Sequence, residues 1–506
     1  MANNFSPEQQ LAFDKYVAGE NIFITGPGGA GKSYLIKKIA SHAKQNGKKV
    51  SICAMTGCAA ILLNCGAKTL HSWAGIGLAR GDDDLIAGRI VTNNYKRNNW
   101  KYTSLLIVDE VSMLSFRLFN LLDHIGQRVR KNGHPFGGIQ LVFCGDFYQL
   151  PPIGNEGDPD SSRFCFESPL WNHAFSNSNF ETNQIPLKTI FRQKDHSFTK
   201  ILNQIREGRL TKTPYNTLLS YVGREVDPEL PVKPTILLPT RRAVDAINRT
   251  EMEKLTTDVK EFDCKPVELV DDEEVLRQEK QKEEDKKAET EKLDSFFQKM
   301  SLKPTSKNEV KKETSKKKKS HSAEQKKRET DFLINNALFE KKLKLRIGSQ
   351  VMCIANIDME AGIYNGSQGV VQEFVGDSPV VRFYNGTVKT ISPHTWLSEN
   401  IPGLGVAQIP LILAWAVTIH KSQGATLDVA QIDIGSGIFE CGQSYVALSR
   451  VSDLSGLYLS SFNPQKIKVN KKVKEYYEEL KILRKTDKKE DAVIAPKPVA
   501  VAVASS

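Results

Sequence analysis

Short apolar runs, rich in β-branched residues, recur along the chain, and each is followed by a turn or by helical spacing. The first set comprises 21–25, 50–54, 105–108 and 139–143. Between the last two runs, apolar residues return every three or four positions, as on one face of a helix. Buried strands that alternate with helices predict a parallel sheet covered on both faces. A second set, which predicts a second α/β unit, comprises 235–238, 412–419 and 431–434.

Three segments depart from this pattern. From 271 to 332, Lys, Glu, Ser and Gln dominate, and such a segment cannot bury enough apolar surface to offset its loss of conformational entropy. We therefore predict a disordered charged insertion there. From 362 to 409, short β-rich runs separated by Asn-Gly pairs predict a small inserted β-barrel. After 464 the chain is basic and then rich in Ala, Pro and Val, which predicts a flexible tail.

These segments divide the chain into predicted domains. The first α/β domain spans 1–186 and contains a small insertion near 78–102. The second α/β domain is interrupted by the charged insertion and by the β-barrel, and its three parts are 187–270, 333–361 and 410–463. The tail is 464–506.

Composition and charge narrow the class of protein. The formal net charge of +11 favours a polyanionic partner, although much of the excess lies in the charged insertion and the tail. The eight cysteines show no metal-ligand spacing, so we expect reduced thiols and no zinc site. The longest apolar stretch, 409–419, is about half the length of a membrane span, and no signal peptide opens the chain. We expect a soluble, intracellular protein without a membrane partner.

A phosphate-binding loop follows the first apolar run. Residues 26–33 match G-x-x-x-x-G-K-[ST] in full and lie between a predicted strand and a predicted helix. Glycines let the backbone N–H groups wrap the phosphates at a helix N-terminus. Lys32 then reaches the β- and γ-phosphates, and the Ser33 hydroxyl binds Mg²⁺. The predicted ATP-binding residues are Gly26, Pro27, Gly28, Gly29, Ala30, Gly31, Lys32 and Ser33.

Two acidic residues follow the third apolar run. In P-loop enzymes an acid at this place holds Mg²⁺, and a second one can accept the proton of the attacking water. Asp109 fits the metal role and Glu110 fits the role of the base. Two acids after a strand are often plain surface residues, but the complete P-loop upstream favours the catalytic interpretation.

Further motifs carry a resemblance to a known family. They are 56–60 (TGCAA), 69–77 (TLHSWAGIG), 109–113 (DEVSM), 145–152 (GDFYQLPP), 191–193 (FRQ), 418–428 (TIHKSQGATLD) and 443–450 (QSYVALSR). Their order and spacing resemble those of superfamily-one DNA helicases, and the nearest match is the petite-integration-frequency (PIF) family, which is related to RecD. The stretch 115–152 is similar to the segment that marks this family. The resemblance implies two RecA-like P-loop domains with ATP between them.

The resemblance also implies roles for residues outside the P-loop. Arg192 and Arg450 are similar to the family's two arginine fingers, which place positive charge on the γ-phosphate. Gln149 corresponds to the glutamine that senses the γ-phosphate, and Gln9 to the one that reads adenine. The implied catalytic set is thus Lys32, Glu110, Gln149, Arg192 and Arg450.

A second implied set lines a track for single-stranded DNA across both domains. Its members are Thr56, His71, Ser72, His420, Lys421, Ser422, Gln423 and Thr426. Hydroxyl, amide and backbone groups suit contacts with phosphates that do not depend on base sequence. Two alternatives stay open: Trp73 could stack on a base or be a core aromatic, and His420 could be a structural histidine.

Taken together, these residues predict an ATP- and Mg²⁺-dependent helicase that moves 5′ to 3′ on single-stranded DNA and unwinds duplex DNA. The expected setting is replication, repair, recombination or telomere maintenance, in a nucleus or at a viral replication site, by a monomer. One alternative is a non-enzymatic single-strand-binding protein with a degenerate ATPase, against which the intact catalytic set argues. The other is an RNA helicase of the same superfamily. The 5′ to 3′ polarity rests on the resemblance alone.

Overall fold

The structure is a computed structural model that describes residues 5–63, 65–179, 181–193, 195–268, 322–398, 401, 403–435 and 437–494. Most of the predicted disordered insertion, 271–321, lies outside the described residues. Its last residues do not fit the prediction, because the helix Ala323–Asn336 begins there. Ser322 and Gln325 form a capping box at the start of this helix, a local signal that the charged composition had masked.

The first α/β unit is built on a six-stranded parallel sheet. Its strands, in chain order, are β1 (Ile22–Thr25), β2 (Val50–Ala54), β3 (Lys68–Thr69), β4 (Leu105–Asp109), β5 (Gln140–Gly145) and β6 (Gln184–Pro186). They lie in the order β3-β2-β4-β5-β1-β6. Strands β1 and β4 are buried throughout. Because parallel strands end at the same edge of a sheet, the P-loop after β1 and the acids at the end of β4 meet there.

Helices cover both faces of this sheet. They are α1 (Pro7–Val17), α2 (Lys32–Gln45), α3 (Gly57–Leu63), α4 (Leu70–Ala74), α5 (Asp83–Thr92), α6 (Asn94–Tyr102), α7 (Phe116–Arg130) and α8 (Pro169–Ala174). Helix α7 shows why they pack: Leu118, Leu122 and Ile125 recur at helical spacing and are buried. The small insertion predicted near 78–102 consists of α5 and α6.

The second α/β unit begins with two helices before its first strand. These elements are α9 (His196–Arg206), α10 (Lys212–Ser220), β7 (Thr235–Leu238) and α11 (Arg241–Glu253). Helix α9 buries Phe198, Ile201, Leu202 and Ile205 in the core of this unit.

A β-rich region interrupts the second unit. It contains β8 (Lys260–Asp263), β9 (Lys265–Glu268), α12 (Ala323–Asn336), β10 (Lys342–Leu345), β11 (Gln350–Cys353), β12 (Gln368–Val375), β13 (Ser378–Phe383), β14 (Val388–Thr390), β15 (His394–Leu397), β16 (Leu404–Gln408) and β17 (Leu411–Leu413). The strands form antiparallel sheets ordered β14-β13-β12-β11-β17, β15-β16-β9 and β10-β8. The hairpin predicted at Asn385-Gly386 is confirmed by the pairing of β13 with β14. The range predicted for the barrel, 362–409, is too narrow, because β9, β11 and β17 lie outside it.

A second parallel sheet completes the second unit. Its remaining elements are β18 (Ala416–Thr418), β19 (Ala430–Ile434), α13 (Gln443–Leu448) and β20 (Leu457–Phe462). The strand order is β18-β7-β19-β20, and every pairing is parallel. The two parallel sheets confirm the predicted fold class of two RecA-like P-loop domains.

The flexible tail predicted from 464 is wrong for most of its length. A helix, α14 (Lys471–Ile494), occupies this segment. Val473, Tyr476, Tyr477 and Leu480, spaced as one face of a helix, are buried in the core of the first unit. Residues 495–506 lie outside the described residues. Among the helices that the structure describes, none combines the length and the apolar composition that crossing a membrane requires.

Candidate active site

The P-loop connects β1 to α2 in a conformation that requires glycine. Gly31 has a φ of +77°, and a Cβ there would lie 2.6 Å from Nε2 of Gln9. Gly26 has a φ of +144°, and a Cβ there would lie 2.6 Å from the carbonyl oxygen of Leu187. Side chains at either position would be strained and would clash with their neighbours. The loop therefore presents backbone rather than side chains to its ligand.

Lys32 and Ser33 stand at the start of α2, where the motif predicts them. The Lys32 Nζ donates to the carbonyl oxygens of Gly26 at 2.7 Å and of Pro27 at 2.9 Å. The Ser33 hydroxyl donates to Oδ2 of Asp109 at 3.4 Å. Strand β4 thus brings its carboxylate to the serine that the motif assigns to the metal.

Glu110 follows Asp109 in the left-handed conformation, with a φ of +57°. Burial, and secondly the charge of Asp109, raise the pKa of Glu110 to about 7, whereas Lys32 and Arg450 act in the opposite direction. Burial also raises the pKa of Asp109. A carboxyl group with a pKa near neutrality suits a general base that accepts a proton and later returns it.

The two predicted glutamines lie beside the P-loop in different roles. Gln149 is buried in the loop after β5 and lines the same cleft as Lys32 and Glu110. Gln9 belongs to the capping box of α1, where its Oε1 accepts from the backbone N–H of Ser6 at 3.0 Å. Its Nε2 donates to the carbonyl oxygen of Ala30 at 3.4 Å. Gln9 therefore braces the P-loop, and its reading of adenine stays a prediction.

Both predicted arginine fingers approach the P-loop. A Cβ on Gly29 would lie 2.5 Å from the Cβ of Arg192, and one on Gly28 would lie 3.6 Å from Nη2 of Arg450. The second unit holds both guanidinium groups: Arg192 donates to the carbonyl oxygens of Ser449 and Gly424, and Arg450 to that of Val446 and to the Ser449 hydroxyl. Burial, and secondly the charge of Arg192, lower the pKa of Arg450 to about 9. Two guanidinium groups that both contact Ser449, that of Arg450 buried and that of Arg192 half-buried, favour an anionic ligand between them.

A tyrosine that the motif analysis left without a role completes this side of the cleft. Tyr445, on α13, is buried, and its hydroxyl accepts from the backbone N–H of Gly28 at 2.8 Å. Burial raises the pKa of Tyr445 to about 12, so the group stays neutral. Only its place in the 443–450 motif hinted at this contact. The cleft between the units has a volume of about 690 Å³.

The predicted DNA-contact residues lie in four different environments. His420, Lys421, Gln423 and Thr426 line the cleft, His71 lines an adjoining cavity of about 290 Å³, and Thr56 lines both. Burial lowers the pKa of His71 and of His420, which keeps both rings neutral at pH 7. Ser72 is half-buried in α4. Ser422 has no exposed surface, and its hydroxyl donates to the carbonyl oxygen of Ile419.

Trp73 is a core residue, which decides between its two interpretations. Its side chain is 2% exposed and packs on Trp100, with 4.5 Å between ring centroids. Asn99 donates to its carbonyl oxygen at 3.0 Å. The suggestion that Trp73 stacks on a base is therefore wrong, because no face of the indole is available.

The side chains present at the metal position suit Mg²⁺. Within the described ranges no group of three or more His, Cys, Asp or Glu residues is placed to hold a metal ion. Mg²⁺ does not need such a group, since it binds through one or two carboxylates together with substrate phosphates and water. The hydroxyl of Ser33 and the carboxylate of Asp109, 3.4 Å apart, are oxygen donors of this kind.

Comparison with known proteins agrees with this geometry. A family model described as PIF1-like helicase matches residues 4–216, and one described as DNA helicase Pif1, 2B domain, matches residues 331–374. The crystal structure of Pif1 helicase from Candida albicans is 31% identical, covers 95% of this chain and 100% of its own, and has a TM-score of 0.66. The chain belongs to the PIF1-like helicase family.

Two further PIF1-like relatives indicate how far the likeness extends. The ATP-dependent DNA helicase RRM3 of Saccharomyces cerevisiae is 33% identical over 493 residues, which are 92% of this chain. The chain spans 66% of the length of RRM3. A structure of two coordinating Pif1 helicases unwinding forked double-stranded DNA is 25% identical, covers 94% of this chain and 97% of its own, and has a TM-score of 0.56.

Proposed function

We propose that this chain hydrolyses ATP with Mg²⁺ and uses the cycle to move 5′ to 3′ along single-stranded DNA and to unwind duplex DNA. One observation carries the proposal: a single cleft contains Lys32 and Glu110 of the first unit together with Arg192 and Arg450, which the second unit holds. The site for phosphoryl transfer is complete only when both units contribute their residues to it. Hydrolysis is therefore coupled to movement of one unit relative to the other.

Each side chain has a distinct part in the hydrolysis step. The N–H groups of the P-loop and Lys32 hold the β- and γ-phosphates. Glu110 orients the attacking water and accepts its proton. Arg192 and Arg450 neutralise the charge that spreads over the γ-phosphate oxygens, and Gln149 lies in the same cleft to contact that phosphate.

Ser33 and Asp109 are the residues that would hold Mg²⁺. When bound, the ion neutralises phosphate charge and fixes the orientation of the phosphates. Burial raises the pKa of Asp109, and the backbone N–H of Glu110 and the charge of Lys32 act in the opposite direction, toward the ionised carboxylate that would bind the metal.

The DNA part of the proposal rests on residues from both units. Thr56 and His71 follow β2 and β3 of the first unit, whereas His420, Lys421 and Thr426 follow β18 of the second. A change in the distance between the units therefore changes the distance between the two sets of strand contacts. RRM3 is named an ATP-dependent DNA helicase, which supports DNA rather than RNA as the partner. The polarity is taken from the family resemblance.

Lys32→Ala tests the enzymatic proposal. The variant should lose ATP turnover stimulated by single-stranded DNA, because Lys32 is the charge that reaches the transferred phosphate. Lys44→Ala, an exposed lysine at the other end of α2, is the matched control and should behave as wild type. Equal turnover by Lys32→Ala and wild type would refute the proposal. Stronger stimulation by single-stranded RNA than by DNA would favour an RNA helicase.

We further propose that the chain acts as a monomer inside the cell, in a nucleus or at a viral replication site. Light scattering of the chain alone and with one equivalent of forked DNA measures the first point. A mass that corresponds to two copies on one fork, as in the coordinating pair of Pif1 helicases, would refute the proposal of a monomer. A fluorescent fusion imaged in infected and uninfected cells measures the second point.

A further inference from the structure

Helix α14 joins the second unit to the core of the first unit. It follows β20 of the second unit, yet its buried face packs in the core of the first unit. Lys472 forms an ion pair with Glu167, and Tyr476 stacks on Phe166 with 4.4 Å between centroids. The helix therefore binds the first unit through its own contacts and ties both units together.

The hydroxyl of Tyr477 lies where two active-site segments begin. It forms a hydrogen bond of 2.6 Å with the hydroxyl of Thr25, the last residue of β1 before the P-loop. It also accepts from the backbone N–H of Phe147 at 3.2 Å. Phe147 lies two residues before Gln149. One buried hydroxyl thus joins the strand that carries the P-loop to the loop that carries Gln149.

A buried ion pair extends this junction to the second unit. Arg206, at the end of α9, donates to both carboxylate oxygens of Asp146 at 2.9 and 2.7 Å. The Tyr477 hydroxyl donates to the same carboxylate at 3.4 Å. The rings of Tyr148 and Tyr477 are stacked at 4.7 Å, and the Arg206 guanidinium lies over both. Three segments far apart in sequence therefore share one fixed arrangement.

We infer that Tyr477 is a positioning residue for ATP hydrolysis, which holds the P-loop strand, the Gln149 loop and the Asp146–Arg206 pair in register. The inference rests on the proposed ATPase function. Its hydroxyl is buried behind β1 and does not line the cleft, so it acts through Thr25 and Phe147. Hydrolysis depends on alignment to a fraction of an ångström, whereas the P-loop retains its shape through its glycines. Loss of the hydroxyl therefore lowers kcat more than it raises KM.

Tyr476 provides a matched control within the same helix. It is as buried as its neighbour, at 8% exposed against 6%, and it packs in the same core. Its hydroxyl donates to Oε1 of Gln184, in β6 at the edge of the sheet. Replacing either tyrosine by phenylalanine keeps the ring. Tyr476→Phe removes the hydrogen bond with Gln184, whereas Tyr477→Phe removes those with Thr25, Phe147 and Asp146, which reach the active-site segments.

The test measures DNA-stimulated ATP turnover of the full chain as a function of ATP concentration. Tyr477→Phe should lower kcat about tenfold and change KM by less than about threefold, whereas Tyr476→Phe should retain wild-type kcat. Equal kcat values for the two variants, or a change in KM alone, would overturn the inference. Thermal unfolding of both variants measures how much stability each has lost. If Tyr477 had only a structural role, Tyr477→Phe would differ from wild type in its unfolding temperature but not in kcat.

A second variant approaches the same hydrogen bond from its other end. Thr25→Val keeps the shape of the side chain and removes the hydroxyl, so it should reproduce the fall in kcat even if Tyr477→Phe does not fold. Wild-type kcat in Thr25→Val would overturn the inference. Absence of DNA-stimulated turnover in the wild-type chain would instead refute the proposed function, and with it the inference, so the two failures are distinguished by the wild-type measurement.

Discussion

The nucleotide-binding part of the cleft and the predicted DNA-facing surface, which comprises Thr56, His71, His420, Lys421 and Thr426, are built from the same two units, yet they differ in how their side chains are held. In the cleft, Lys32, Arg192 and Arg450 all donate to backbone carbonyl oxygens. On the DNA-facing surface, Lys421 and Thr426 are half-buried and His420 is exposed. Lys421 is the one residue of the predicted DNA set with a permanent positive charge.

This difference matches the two tasks. Phosphoryl transfer takes place at one point and rewards groups that are already oriented before the reaction. A strand that slides needs contacts that form and break in every cycle, and a few weak contacts serve this better than a dense cluster of charges. The cleft is therefore expected to tolerate almost no substitution, whereas the DNA-facing surface should respond in small steps.

The largest expected effect is at the cleft. Arg450→Ala should lower DNA-stimulated kcat about 10³-fold, because an arginine finger supplies much of the charge stabilisation. Arg224→Ala, an exposed arginine that stacks on Tyr458 in the same unit, should retain wild-type turnover. The measurement is steady-state ATP hydrolysis at saturating single-stranded DNA. A loss of less than tenfold in Arg450→Ala would show that the cleft is not as intolerant as its geometry implies.

An effect of intermediate size is expected from Trp73→Ala, which tests whether Trp73 is a core residue or a DNA contact. Trp73→Ala should destabilise the fold by about 3–5 kcal/mol, as expected for removing a buried indole, and native protein should keep its affinity for single-stranded DNA. Chemical unfolding followed by circular dichroism, together with fluorescence anisotropy of labelled DNA, measures both quantities. Weaker DNA binding with an unchanged unfolding midpoint would show that Trp73 contacts DNA and is not a core residue.

The smallest expected effect is at the DNA-facing surface itself. Lys421→Ala should make the plot of log Kd against log salt concentration less steep by about 0.7, the value for one phosphate contact on a single strand. Ser422→Ala removes a hydroxyl that is buried and bonded within the chain, so its slope should equal that of wild type. If Ser422→Ala reduced this slope more than Lys421→Ala does, the assignment of Lys421 to the DNA-facing surface would be contradicted.

Much of the cleft could be predicted because its chemistry is local in sequence. The P-loop directly follows β1, and the pair Asp109-Glu110 stands at the end of β4. The alternation of apolar runs with helices predicts a parallel sheet, in which these two strand ends lie at the same edge. Tyr445, Arg206 and Tyr477 could not be found in this way, since their contacts with Gly28, Asp146 and Thr25 join residues far apart in the chain. No local spacing encodes such contacts.

The sequence of α14 contains a helical signal that its many lysines obscure. The apolar positions 473, 476, 477 and 480 follow helical spacing and predict a buried face, whereas the many lysines around them favoured a solvated tail. Positive charge on the outer face of a helix is compatible with burial of the inner face. The β-rich region was bounded too narrowly for a related reason, because its outer strands come from segments that look like parts of the second unit.

Unwinding tests the central claim most directly. A fluorescent duplex with one 5′ single-stranded tail, its 3′-tailed counterpart and a fork are each mixed with the wild-type chain, Mg²⁺ and ATP, and with Lys32→Ala as the control. The account predicts strand separation of the 5′-tailed duplex and of the fork by the wild type alone, and none of the 3′-tailed duplex. Separation of the 3′-tailed duplex only, or equal separation by Lys32→Ala, would contradict it.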